Sequence, residues 1–155
     1  MKIIVDADAC PVKEIVIAVA KEHQLEVLMV CSLAHNIEEQ TGVRVIQVDQ
    51  EPQAADIAIF NQTQQSDIVV TQDYGLAAIA LGKGASAISP RGNIYMEERM
   101  DGMLTRRHIE QKYRRAGGRT KGPKPHSEKD DVRFETNLKH LIRTQINAED
   151  SPRRL

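Results

Sequence analysis

Residues 1–11, Met1-Lys2-Ile3-Ile4-Val5-Asp6-Ala7-Asp8-Ala9-Cys10-Pro11, decide the fold. Lys2 to Val5 is a short apolar run containing β-branched residues, the pattern of a buried strand. It stops on two carboxylates, Asp6 and Asp8, and Pro11 suits the first position of a helix, where its missing N–H costs nothing. In open α/β sheets, ligands bind beyond the carboxyl ends of the strands. Paired acids at that point are where a metal or phosphate-handling site would be built.

The same alternation continues outward. Pro11 to Glu22 predicts a helix with Val12, Ile15, Val16 and Val19 on one face. Leu25 to Cys31 predicts a second strand, Ser32 to Thr41 an irregular polar stretch, and Val43 to Val48 a third strand. Glu51 and Pro52 open a helix through about Gln64 that carries Asp56 in its first turns. Asp67 to Thr71 is apolar enough for a central parallel strand. Asp73 follows it, and Leu76 to Lys83 is an Ala-rich helix closed by Gly84. Ala85 to Ser89 is a fifth strand, ending at Pro90-Arg91-Gly92. Strands alternating with helices predict a three-layer, doubly wound α/β fold with a mainly parallel five-stranded sheet.

Helical spacing resumes from Met96 to about Arg115, and Ala116 to His126 reads as a flexible basic loop. Ser127 and Asp130 resemble a helix N-cap pair. The helix they open, over about 127–147, should bury Phe134, Leu138, Leu141 and Ile142, with a frayed tail over 148–155. Residues 1–147 thus read as a single domain, of a size that supports a real core.

Composition narrows the function classes. Two cysteines, Cys10 and Cys31, make neither a disulfide framework nor a paired-cysteine metal motif, and both are expected to be reduced thiols in a cytosol. The chain opens as a strand ending in acids rather than as a signal peptide, and no apolar run approaches the roughly 18 residues of a membrane span. Charge is unevenly spread. Residues 1–103 carry 7 Lys and Arg against 15 Asp and Glu, whereas residues 104–125 carry 8 against 1. An acidic body joined to a basic segment suits cations in one part and a polyanion in the other.

Asp6 and Asp8 follow the first strand, Asp73 follows the fourth, and Asp56 sits early in the helix leading into it. Strands one and four are neighbours in the common doubly wound orders, which would bring these carboxylates together. Like charges that close need a raised pKa or a divalent cation, and hard oxygen ligands select Mg²⁺ or Mn²⁺. An acid after a strand is also a common helix cap, and Asp73 reads equally as the cap of the helix containing Leu76 to Leu81. Asp67 begins its strand and belongs at the opposite edge.

The stretches Asp-Ala-Asp-Ala-Cys-Pro-Val-Lys (6–13), Ile-Val-Val-Thr-Gln-Asp-Tyr-Gly-Leu-Ala (68–77) and Gly-Pro-Lys-Pro-His-Ser-Glu-Lys-Asp-Asp-Val-Arg-Phe (122–134) resemble the bacterial YaiI/YqxD family over nearly the whole chain. That family is grouped with PIN-like domains, whose characterised members are Mg²⁺- or Mn²⁺-dependent ribonucleases. The resemblance implies an Asp after the first strand, an acid on a mid-chain helix and Thr-x-Asp after the fourth strand, and Asp6, Asp56 and Thr71 with Asp73 match those positions. It further implies one or two Mg²⁺ or Mn²⁺ ions held by Asp6, Asp56 and Asp73, with Asp8 as a further ligand or as the group orienting the attacking water. The sequence departs from the pattern at Tyr74 and Gly75, where many PIN domains carry another acid. It departs again at His126 and Asp131, where the family has Phe and Arg.

The basic run Arg106, Arg107, Lys112, Arg114, Arg115, Arg119, Lys121 and Lys124 is the best candidate for RNA phosphate contact. It holds one aromatic, Tyr113, so base stacking within it is expected to be weak. Arg107, Arg114 and Arg115 fall near one helical face, and Arg119 to Lys124 lie in the loop. Ser89, Arg91 and Gly92 follow the fifth strand, where Arg would clamp a phosphate and Gly would let the backbone come close; a tight turn explains them equally. Cys10, near a helix N-terminus, reads as a packed thiol. Three readings emerge. The leading one is a metal-dependent ribonuclease. A haloacid-dehalogenase-like phosphohydrolase also fits Asp6-x-Asp8, but expects Thr or Val where Cys10 stands. The third is a non-catalytic RNA- or nucleotide-binding module.

Overall fold

Lys2–Asp6 forms β1, which occupies the centre of the sheet. In a computed structural model that describes residues 1–32, 37–51, 53–98, 100 and 124–150, four further strands flank it. These are β2 (Glu26–Ser32), β3 (Val43–Val48), β4 (Ile68–Val70) and β5 (Ser86–Ile88). All pairings between them are parallel, in the order β3-β2-β1-β4-β5. The chain winds outward from β1 to β3, then returns to pair β4 against the other side of β1. That reversal opens a crevice at the carboxyl ends of β1 and β4. The register sets Val5 opposite Val70, so Asp6 and Thr71 leave the sheet side by side.

The covering helices are α1 (Lys13–Glu22), α2 (Ala54–Gln62), α3 (Tyr74–Gly82) and α4 (Glu128–Asp150). Alternation along the strands assigns them to two faces. Ile3, Val5, Val27, Met29, Ile68 and Val70 pack with Val16 and Val19 of α1 and with Phe134, Leu138 and Ile142 of α4. Ile4, Leu28, Val30 and Val69 pack with Ile59 of α2 and with Leu76 and Ala80 of α3. Each of the Val, Ile, Leu, Met and Phe side chains among them contributes about 1.5–3 kcal/mol relative to exposure. Asp6 lies two residues beyond Ile4, and Thr71 two beyond Val69. The same alternation therefore carries both toward the layer of α2 and α3.

Local chemistry sets the element ends. Gly84, at φ 82°, takes the left-handed conformation that closes α3, as expected from the sequence. Residues 11 and 12 form a turn, and α1 starts at Lys13, later than the Pro11 start expected. Ala9 at φ 57° and the Cys10 N–H bond to the Ala7 carbonyl (3.3 Å) shape that turn. The helix expected to fray from Ala148 continues through Asp150; its last turn contains no Gly or Pro, and the first breaker is Pro152. The basic segment over 104–123 lies outside the described residues. Among the described residues, no helix is long and apolar enough to cross a membrane.

Candidate metal and active site

Four elements deliver acids to the β1–β4 crevice. Asp6 is the last residue of β1, Asp8 follows in the turn, Asp56 lies in the first turn of α2, and Asp73 caps α3. Thr71, fully buried, ties two of them together. Its hydroxyl donates to Asp6 Oδ2 (3.1 Å), and its Oγ1 accepts the backbone N–H of Asp73 (3.0 Å). Its carbonyl receives the Tyr95 hydroxyl (3.0 Å), which fixes the chain at the turn.

The carboxylates lie close enough for their charges to act on one another. Burial pushes the Asp6 carboxyl from the usual 3.8 up to about 6, against the Thr71 hydrogen bond that opposes it; Asp56, Asp8 and Asp73 each add to the rise. Burial also raises Asp56, and Asp73 adds to that. Asp56 and Asp73 both raise Asp6, and Asp73 raises Asp56, so the three charges influence one another. Asp73 also fulfils the capping reading, since its Oδ1 accepts the N–H groups of Gly75 (2.8 Å) and Leu76 (3.2 Å). Capping and site membership coexist in one side chain, because both hydrogen bonds go to one of its two oxygens. Asp8 also has a structural partner. Both its oxygens accept the Ser32 N–H at 3.1 Å, binding the turn after β1 to the end of β2.

Among the described residues, no three His, Cys, Asp or Glu side chains are gathered tightly enough to form a ready metal cage. The donor set nevertheless suits Mg²⁺ or Mn²⁺. Mg²⁺ is characteristically bound through one or two carboxylates, with waters and substrate phosphates completing its shell, rather than by an all-protein cage. Asp6, Asp56 and Asp73 supply hard oxygens and a concentration of negative charge.

The turn after β5 differs from the phosphate clamp expected there. Gly92 N–H donates to the Ser89 carbonyl (2.8 Å), and the Asn93 N–H reaches Ser89 Oγ (3.1 Å), so the turn closes on itself. Gly92, at φ 90°, is needed because a Cβ there would sit 2.5 Å from the Phe134 nitrogen and 2.6 Å from the Arg133 carbonyl carbon. The close approach that glycine permits is to α4. Asn137 Nδ2 seals the contact with a 2.6 Å bond to the Gly92 carbonyl. Arg91 reaches Asp130 at 3.4 Å. Asp130, buried, also accepts from Ser127 N–H (3.0 Å) and Arg133 (3.3 Å). The Ser127 backbone bond chiefly holds its carboxyl below the usual range, with Arg91 and His126 helping. The two C-terminal departures from the family pattern meet each other, His126 Nε2 lying 2.6 Å from Asp131 Oδ1.

Of the basic residues expected to hold phosphate, Lys124 is exposed just before α4, while Arg107, Arg114, Arg115, Arg119 and Lys121 lie outside the described residues. Cys10 is buried, and burial raises its thiol, as fits a packed group. Sequence reading did not single out Asp130 as the partner of Arg91, nor Tyr95. Asp130 carried a signal in its position three residues after Ser127. Tyr95 carried none.

The model of the Uncharacterized BCR, YaiI/YqxD family matches residues 4–144. The chain belongs to that family. Among its relatives, a UPF0178 protein of Lachnoclostridium phytofermentans is 46% identical over 147 residues, covering 93% of this chain and 98% of the relative. A UPF0178 protein of Clostridium perfringens is 46% identical over 142 residues, with 92% and 95% covered. One from Alkaliphilus metalliredigens is 42% identical over 146 residues, with 94% of each covered. Among solved structures, a mutant of Rae1 (YacP) from Bacillus subtilis is similar at a TM-score of 0.41 and 21% identity, covering 96% of this chain and 99% of that one.

Proposed function

We propose that this family member is a divalent-metal-dependent nuclease that hydrolyses RNA phosphodiesters at the Asp6, Asp56 and Asp73 cluster. One observation supports the reading: at the winding reversal Asp6 is hydrogen-bonded to Thr71, which also holds the Asp73 backbone, and the charges of Asp56, Asp8 and Asp73 all reach it. A fold has little structural reason to collect such charge without a cation. The resemblance of Asp6, Asp56 and Thr71-x-Asp73 to the PIN-type signature agrees with it. Asp6, Asp56 and Asp73 would hold one or two Mg²⁺ or Mn²⁺ ions. A bound ion makes a coordinated water more acidic and neutralises charge developing on phosphorus.

The chain's own groups do the rest. Thr71 holds Asp6 in place through its hydroxyl and links it to the backbone of Asp73. Attack would be in line: the water oxygen bonds to phosphorus and gives its proton to a nearby carboxylate or solvent, while the P–O bond to one ribose oxygen breaks and that oxygen takes a proton from solvent. The basic segment, including Lys124, would hold the flanking phosphates. Two buried thiols fit a cytoplasmic setting.

The test is cleavage of single-stranded RNA in Mn²⁺ by the wild type and Asp73→Asn. Cleavage by the wild type, falling by more than about a hundredfold in the variant, supports the reading; equal rates overturn it. The lack of a ready three-ligand cage among the described residues favours a second reading, a non-catalytic RNA-binding module. Stabilisation by RNA alone, with no response to Mn²⁺, would select it. The phosphohydrolase reading loses ground, because Asp8, its would-be acid, engages the Ser32 backbone.

A further inference from the structure

A cavity of about 170 Å³ opens between the carboxyl ends of β4 and β5, lined by Gln72, Tyr74, Ser89, Arg91, Asn93 and Tyr95 together with Pro90. Gln72 and Tyr74 are the immediate neighbours of Asp73, so its wall begins one residue from the acid cluster. Tyr74 and Tyr95 meet edge to face with ring centroids 5.6 Å apart, and Tyr95 is anchored through its hydroxyl to Thr71. Among the described residues, no carboxylate lines the space, and the one cation that does, Arg91, is paired with Asp130. The described lining is therefore close to neutral, with two aromatic rings, Tyr74 and Tyr95, beside the amides of Gln72 and Asn93 and the Ser89 hydroxyl. Such a lining suits a flat ring with hydrogen-bonding edges better than a phosphate.

Resting on the nuclease reading, we propose that this cavity is a single-base subsite taking the pyrimidine ring of the nucleotide beside the scissile phosphate. Size selects the pyrimidine: a cavity of roughly 150 Å³ accommodates one benzene ring, so this one takes a six-membered ring and leaves a fused purine protruding. Bases of single-stranded RNA are commonly splayed out, stacked on aromatic side chains and read along their polar edges. Tyr74 supplies the stacking surface. The exposed amides of Gln72 and Asn93 supply donors and acceptors for the ring edge. Specificity would thus come from the body of the domain, separate from the basic segment that grips phosphate.

The experiment compares cleavage of oligouridylate, oligocytidylate and oligoadenylate of equal length in Mn²⁺, using the full chain and its Tyr74→Ala, Tyr74→Phe and Gln72→Ala variants. Binding of the same oligomers in EDTA is measured in parallel by fluorescence anisotropy. The expected result is about tenfold faster cleavage of the pyrimidine oligomers, in line with the loss of one base–aromatic stack. Tyr74→Phe retains the preference and Tyr74→Ala brings the ratio close to one. Equal cleavage of all three by the wild type, or an equal slowing of all three by Tyr74→Ala, overturns the subsite and leaves the nuclease reading standing. If no oligomer is cleaved, the nuclease reading falls and binding decides. Preferred binding of oligouridylate, lost in Tyr74→Ala, then supports the subsite, and indifference overturns it. Should Tyr74→Ala fail to fold, Gln72→Ala, at an exposed position, carries the comparison through a reduced pyrimidine preference.

Discussion

β1 and β4 have an aspartate at each end of their shared edge, and the two are treated in opposite ways. At the amino end, buried Asp67 accepts Lys2 Nζ at 2.7 Å, Lys2 N–H at 3.0 Å and Gln64 N–H at 2.8 Å. At the carboxyl end, Asp6 has the Thr71 hydroxyl and three neighbouring acids that raise its pKa. Among the described residues, no ion pair to Asp6 is formed. One carboxylate staples the first strand to the fourth; the other is held short of positive charge. That difference separates an acid satisfied within the fold from one that the proposed metal would satisfy, since a carboxylate cluster without a cation among the described residues costs stability until something positive arrives.

The contrast can be broken from either end, beginning with the largest effect. Asp67→Ala strands the Lys2 ammonium, and urea unfolding should show a loss of about 3–4 kcal/mol; a loss below about 1 kcal/mol would mean that the staple is ornamental. Mn²⁺ at about a hundred times its dissociation constant should stabilise the wild type by about 2.7 kcal/mol. In Asp6→Asn that gain should disappear, whereas in a control at the amino end, Lys2→Ala, it should persist. Gly92→Ala sharpens the contrast by marking what is structural at the carboxyl edge. Its Cβ would strike the α4 backbone, and the cost should be about 2 kcal/mol in a thermal melt.

The smallest effect has the most diagnostic sign. Without divalent ions, folded Asp6 holds its proton up to about pH 6, whereas the unfolded chain releases it near 3.8. Its contribution therefore erodes stability as pH rises from about 4 to 6, with the full penalty present above 6. In EDTA at pH 7.5, Asp6→Asn should be more stable than the wild type by about 1–2 kcal/mol, a figure reduced for partial solvent screening. The advantage should fade as pH falls toward 4. An Asp6→Asn protein less stable than the wild type at pH 7.5 would show that Asp6 is satisfied after all.

Much of the fold was legible because it rests on contiguous pattern. The run Ile3-Ile4-Val5 and the run Ile68-Val69-Val70 read as buried parallel strands and are so. Gly84 closed its helix, and Ser127 with Asp130 opened theirs. The misjudged ends, at Pro11 and Ala148, lay where propensity alone does not set a boundary. Asp6, Asp8 and Asp73 were legible for a similar reason, since a residue just past a strand end must sit at the carboxyl edge, whereas Asp56 was read from its place early in a helix. The turn at Arg91 and Gly92 was only half legible. Its shape was expected, but its docking on α4 was not.

By itself, the sequence determined the alternation of strands and helices and the edge to which each aspartate belongs, because strand period and strand end are properties of adjacent residues. Only tertiary structure decided which aspartate found a cation. Lys2 reaches Asp67 across 65 positions, and Arg91 reaches Asp130 across 39. Such partners are chosen by the winding of the sheet and the path of α4, and no local pattern encodes them.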